Sequence, residues 1–180
     1  SMRKLLLLVL LLISAGFVQA QHNPIDGPEF ARLREACGEW LVTLKFNNQP
    51  DGNPAQEFRD LRCSISMIME GRYQEARHSG MVGDKGLEGV SITGWDPEKG
   101  VYASTWTDNF GFGIDYATGM LDAKTGDLVF RGEEWDAKGN LLARTREVHH
   151  LSGKEYTITM YRTEGSGAEK LDMEVIMVRG

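Results

Sequence analysis

From Trp40 to Arg179 the side chains of this sequence change character at almost every step. Trp40, Val42, Leu44 and Phe46 alternate with Leu41, Thr43 and Lys45. Nine further runs of the same kind follow, near Phe58–Met69, Arg72–Ser79, Gly89–Trp95, Val101–Thr107, Gly113–Leu121, Asp127–Trp135, Leu141–Leu151, Tyr156–Thr163 and Leu171–Arg179. A period of two belongs to strands with two unlike faces. Compact turns separate the runs: Asp84-Lys85-Gly86, Asp96 to Gly100, Lys124 to Asp127, Lys138-Gly139-Asn140 and Ser152-Gly153-Lys154. Loops this short join antiparallel neighbours. A turn every 10–15 residues or so predicts an all-β meander of about ten strands closing into a barrel or sandwich. No segment after Gly38 reads as a crossover helix, so a parallel βαβ sheet is not expected.

Ahead of the strands the period is different. Pro28 suits the first position of a helix, and Phe30, Leu33 and Cys37 fall on one helical face. Gly38 is a suitable stop, so a short helix is expected over about residues 28–37. Arg3 and Lys4, the unbroken apolar run Leu5 to Ile13 and the small-residue site Val18-Gln19-Ala20 make residues 1–20 read as a secretory signal peptide. The apolar run is shorter than the roughly 20 residues of a membrane-spanning helix. No Cys stands just after it, so no lipid anchor is expected. The mature chain then begins at Gln21 as one domain over residues 21–180, in the periplasm or outside the cell. Loss of Arg3 and Lys4 takes the formal charge from −6 to −8. Such an acidic chain is a poor partner for nucleic acid or anionic membranes.

Cys37 and Cys63 are the only cysteines. In an oxidising compartment they either close a disulfide or stay two separate buried thiols. A bridge across the 25 residues between them would add roughly 3–4 kcal/mol through chain entropy.

Two hairpins hold the candidate site. If the loop after Asp96 is Pro97–Gly100, Trp95 lies opposite Tyr102. Ser91, Thr93, Trp95, Tyr102, Ser104, Trp106 and Asp108 then share a face that mixes aromatic rings with small hydroxyls, as ligand cavities do. The alternatives are a solid aromatic core and a solvated face. If the loop at Ser152–Glu155 has two or four residues, Leu151 pairs with Tyr156. Thr145, Glu147, His149 and Leu151 then face inward with Tyr156, Ile158 and Met160. Glu147 and His149 on such a face would be costly unless paired or hydrated. They form either a proton-exchanging pair or a structural one, with Glu147 held by Arg144, Arg146 or Arg131.

Metal and cofactor chemistry has little support, and none is expected. His149 and His150, being adjacent on a strand, point to opposite faces. His78 is isolated and His22 lies in the lead. Met67, Met69, Met173 and Met177 fit core filling better than Cu(I) binding. No Gly-x-Ser-x-Gly elbow occurs, and the Gly-rich runs do not precede helices. Glu133-Glu134 with Asp136 reads as a solvated hairpin end.

The stretch Gly89-Val90-Ser91-Ile92-Thr93-Gly94-Trp95-Asp96, then Tyr102 to Asp108, with Gly38-Glu39-Trp40 behind a short helix and Arg146-Glu147 opening a late strand, resembles the bacterial family called domain of unknown function 1579. The resemblance runs from about Leu33 to Arg179. It implies a single antiparallel calycin-like barrel with the N-terminal helix closing one end. Lipocalins, fatty-acid-binding proteins and haem-binding nitrobindins share that architecture, and most hold a small apolar molecule. The last two strands carry no His, which counts against haem.

The reading is therefore an exported barrel for a small apolar or amphipathic ligand. Trp95, Tyr102 and Trp106 would supply contact, and Ser104, Asp108, Arg146, Glu147 and His149 would orient polar groups. Two alternatives remain: a cavity enzyme using Glu147 and His149 for acid–base chemistry, and a structural or partner-binding barrel with a filled core.

Overall fold

In the computed structural model, residues 24–47 and 54–180 are described. The signal-peptide reading of residues 1–20, and His22, fall outside them. Ten strands follow one helix, α1 (Pro28–Glu35): β1 (Gly38–Phe46), β2 (Gln56–Ile68), β3 (Tyr73–Val82), β4 (Lys85–Asp96), β5 (Val101–Asp108), β6 (Asp115–Leu121), β7 (Leu128–Trp135), β8 (Leu141–Ser152), β9 (Glu155–Glu164) and β10 (Lys170–Arg179). Every strand is antiparallel to the next, and β1 pairs with β10 to close the barrel. Closure leaves no sheet edge to template aggregation. No helix among the described residues is long and apolar enough to cross a membrane.

Turn chemistry sets the registers. Asp96, Asp122 and Asp136 each accept, on a side-chain oxygen, backbone N–H groups from the two to four residues that follow. Each turn is closed by a glycine N–H bonded to that aspartate's own carbonyl, at Gly100, Gly126 and Gly139. All three glycines have positive φ, a conformation that costs other residues energy. The first of these turns sets Trp95 opposite Tyr102, as the sequence predicts. Leu151 likewise faces Tyr156. One turn differs from expectation. The β3–β4 hairpin turns at Gly83-Asp84, and Lys85 and Gly86 already pair with Val82 and Met81. The two-residue loop needs a positive φ in its first position, and Gly83 (φ 65°) supplies it there.

The helix plugs one end. Phe30 and Leu33 are buried beneath it, and Leu33 packs with Tyr102, Leu128 and Phe130. A second cluster, built on Trp40, Val42, Leu61, Cys63, Val175 and Met177, fills the wall behind it. The last carbonyls of a helix lack intrahelical donors. Here the barrel supplies them. Gln74 Nε2 donates to Leu33 O at 2.6 Å, Trp40 Nε1 to Ala36 O at 2.9 Å, and Arg179 to Glu35 O and Cys37 O at 2.8 and 2.9 Å. Tyr102 Oη donates to Glu29 O at 3.1 Å. The helix expected to reach Cys37 stops at Glu35, and this side-chain cap takes over there.

Gln74 is buried, so Gln74→Leu leaves the Leu33 carbonyl with only the weak Cys37 thiol, 3.8 Å away. Loss of the Gln74 bond should destabilise the fold by about 1–3 kcal/mol, read as a fall in the urea midpoint. An unchanged midpoint would show that this bond does not hold the plug.

Candidate functional site

Beneath the plug the barrel encloses a cavity of about 400 Å³. Small-molecule sites span about 300–1,000 Å³. The closed register decides which side chains enter it. β4 and β9 stand five strands apart either way round the barrel and so face each other across it. The wall from β9 through β10 and β1 to β2 is apolar, with Ile158, Met160, Met173, Met177, Leu44 and Ile65 lining the space. The wall from β4 to β8 carries most of the polar groups, Ser91, Thr93, Ser104, Asp108, Asp115, Thr145, Glu147 and His149 with the Trp106 indole, set among Leu87, Leu128, Phe130 and Leu151.

On the polar wall the groups bond to one another. Thr93 and Ser104, opposite each other on β4 and β5, share a hydrogen bond of 2.9 Å. Trp106 lies where Gly89 leaves room, since a Cβ at Gly89 would come within 2.5 Å of the indole Cζ2. Its Nε1 donates to Asp108 Oδ2 at 2.7 Å, and the backbone N–H groups of Phe110 and Gly111 donate to the other oxygen. Burial raises the Asp108 carboxyl, but these three bonds and the Lys85 charge outweigh it and hold the group below the usual carboxylate range. Asp115, opposite Trp106, goes the other way. Burial raises it first, and the carboxylates of Glu134, Asp108 and Glu147 raise it further.

A second chain of bonds crosses β8 and β9. Tyr156 Oη lies 2.8 Å from His149 Nδ1, and His149 Nε2 lies 3.1 Å from Glu147 Oε2. Burial pushes the Tyr156 phenol well above its ordinary value, so the tyrosine keeps its proton beside the imidazole. Glu147 is thus paired with His149 and not with an arginine. Arg146 points outward, donates twice to Glu169 at 2.9 and 2.6 Å and stacks on Tyr161. Arg144 sits with Glu133.

Five of the residues expected at the site line the cavity: Ser104, Trp106, Asp108, Glu147 and His149. Three do not. Trp95 and Tyr102 share the inward face but lie under α1, packed edge to face with Leu33 and Phe130 nearby, and serve the plug. Arg146 is a neighbour of Glu147 on one strand, so alternation sends it to the outer surface. Cys37 and Cys63 are free thiols, the second of the two arrangements that the sequence leaves open. Cys63 points at His78, with Sγ 3.2 Å from Nε2, whereas the Cys37 thiol lies against Leu33 O. Burial, and then the Glu39 charge, push the Cys63 thiol up to about 12.

Two features escaped the sequence reading. His78 lines the cavity with its ring edge-on to Trp106, 5.3 Å between centroids. Carrying the alternation across the turn at Met69–Arg72 places His78 opposite Cys63, and that pairing was the available signal. Glu134, read as solvated, turns inward on β7 and is bound by Arg162 at 2.8 Å. Glu134 keeps the inward parity of Phe130 on β7 and Arg162 that of Met160 on β9, so alternation was the available signal, and the bulge between Leu171 and Met173 lies on β10 instead.

Burial lowers the His78 imidazole from 6.5 to about 4. The unfolded chain therefore binds this proton first as pH falls. The contribution of the neutral ring is complete above pH 6.5 and drains away down to about pH 4, up to about 3 kcal/mol. Asp108 and Asp127, both held low, lose their contributions only at more acid pH. His78→Gln should flatten stability between pH 6.5 and 4 in urea titrations. A slope equal to that of the wild type would assign the effect elsewhere.

Among curated proteins nothing matches this chain. A family model does match, over residues 26–179, and so takes in α1 and the whole barrel. The chain belongs to that family, described as "Protein of unknown function (DUF1579)".

Proposed function

We propose that this protein is exported by its leader and binds a small, mostly apolar molecule inside the barrel. The observation that carries the reading is the cavity of about 400 Å³ with one apolar wall and one that carries most of the polar groups. A barrel serving only as a scaffold gains stability by filling its interior, because empty apolar space forfeits packing. The polar wall is also of the kind that orients a ligand: Ser104, Trp106, Asp108, Glu147 and His149 present few groups, each held by a neighbour. Arg3, Lys4 and the run Leu5 to Ile13 support export, with cleavage after Ala20.

Native mass spectrometry of protein exported through its own leader tests both parts. A chain starting at Gln21, with an added mass lost on denaturation, is the expected result. The neutral probe N-phenyl-1-naphthylamine should bind the emptied barrel, and Ile158→Trp, which fills the cavity, should weaken it at least tenfold, about 1.4 kcal/mol. A bare chain that also ignores the probe overturns the reading.

The bonded series Tyr156, His149 and Glu147 favours one second reading. A carboxylate joined to an imidazole inside a cavity can move a proton to or from a bound molecule. Incubated with the recovered ligand, the wild type would convert it and Glu147→Gln would convert it roughly 10²–10⁴-fold more slowly. A ligand returned unchanged by the wild type excludes this chemistry.

A further inference from the structure

Resting on the cavity being a ligand site, we propose that it selects an amphipathic amine, with the ammonium at the Trp106–Asp115 side of the mouth and the apolar body against Ile158 and Met160. At the end away from α1 the cavity is bordered by Asp108, Phe110, Asp115 and Glu134, of which Phe110 and Asp115 are exposed to solvent. Five carboxylates line the space: Asp108, Asp115, Glu133, Glu134 and Glu147. Among the described residues, Glu134 and Glu133 are paired with the guanidiniums of Arg162 and Arg144, and Glu147 with the His149 ring, which leaves Asp108 and Asp115 without a cationic partner. The other cations near the lining are engaged. Arg32 is held at the plug by Glu35 and Gly126 O, and Lys85 donates to Asn109 O and lies over the Phe110 ring.

Asp115 therefore stands in a field of like charge that a bound cation would relieve. Its carboxyl is pushed up by burial and then by Glu134, Asp108 and Glu147. No three His, Cys, Asp or Glu side chains among the described residues gather closely enough to hold a metal ion. The charge is spread along the wall, which suits an organic cation better than a compact one. Trp106 adds to the attraction. An indole face draws ammonium groups, and the Nε1–H donated to Asp108 leaves the ring richer in electrons. Across the barrel, Ile158 and Met160 offer the alkyl part an apolar surface. A fatty-acid carboxylate in the same pose would meet like charges, so the specificity is the reverse of a fatty-acid carrier.

Calorimetric titration of the full chain at neutral pH, below micelle-forming concentrations, compares decylammonium, decanol and decanoate. These probes share a chain and differ only in the head. Decylammonium should bind at least tenfold tighter than decanol, with decanoate the weakest, and added salt should narrow the gap. Asp115→Asn should bring the amine-to-alcohol ratio toward one, and the ratio itself controls for folding because both probes read the same barrel. Decanoate binding as tightly as the amine, or three equal affinities, overturns the charge selection and leaves the binding barrel standing. Binding of none of the three overturns both.

Discussion

Everything in this barrel hangs on how its one helix is ended. A helix laid across a barrel end must bury its last carbonyls, and an unmet carbonyl is expensive. Gln74 from β3, Trp40 from β1 and Arg179 from β10 reach up and satisfy them. Arg179 also lies over the Trp40 ring, so the cap packs as well as bonds. Trp40 and Arg179 come from the two strands that meet at the barrel seam and pair across it, so the helix cap straddles the closure. The plug then stands at a fixed height and decides where packed core ends and open cavity begins.

That height is what alternation cannot convey. The period of two placed Trp95, Tyr102, Ser104, Trp106 and Asp108 on one face, and the structure keeps them there. It says nothing of level along the barrel axis. Trp95 and Tyr102 fall at the plug, whereas Ser104, Trp106 and Asp108 fall in the open space. Where parity alone decides, the sequence is a good guide. Glu147 and His149 enter the cavity with Thr145 and Leu151, and the same parity sends Arg146 outward to Glu169. Pairing of cysteines was not legible, because it depends on which way Cys63 leans, and His78 opposite it offers a closer partner. The aspartate–glycine turns were legible because their bonds are local. The Leu171–Met173 bulge was not, since it answers to the neighbouring strand.

The two walls also differ in how they tolerate polar groups. Carboxylates inside a barrel are costly unless bonded. Asp108 is held by three N–H donors, Glu134 by Arg162 and Glu147 by His149. Asp108 and Glu147 draw on residues two positions along the same strand or in the adjacent loop, whereas Arg162 on β9 reaches Glu134 on β7 past the strand between them. Asp115 has no such guanidinium or imidazole among the described residues, and its surroundings raise its carboxyl.

Rigid and adaptable surfaces therefore face each other across the same space. On the polar side, Thr93 is tied to Ser104 and Trp106 to Asp108, so donors and acceptors occupy fixed positions. Met160, Met173 and Met177 stand opposite, and unbranched thioethers change rotamer at little cost. A bound molecule would be read by its head against the fixed wall, while its body is accommodated by the methionines. Discrimination among heads with tolerance among bodies follows from that asymmetry, and the asymmetry follows from strand order: the methionine-bearing strands β9 and β10 are joined to β1 at the seam that the helix cap straddles.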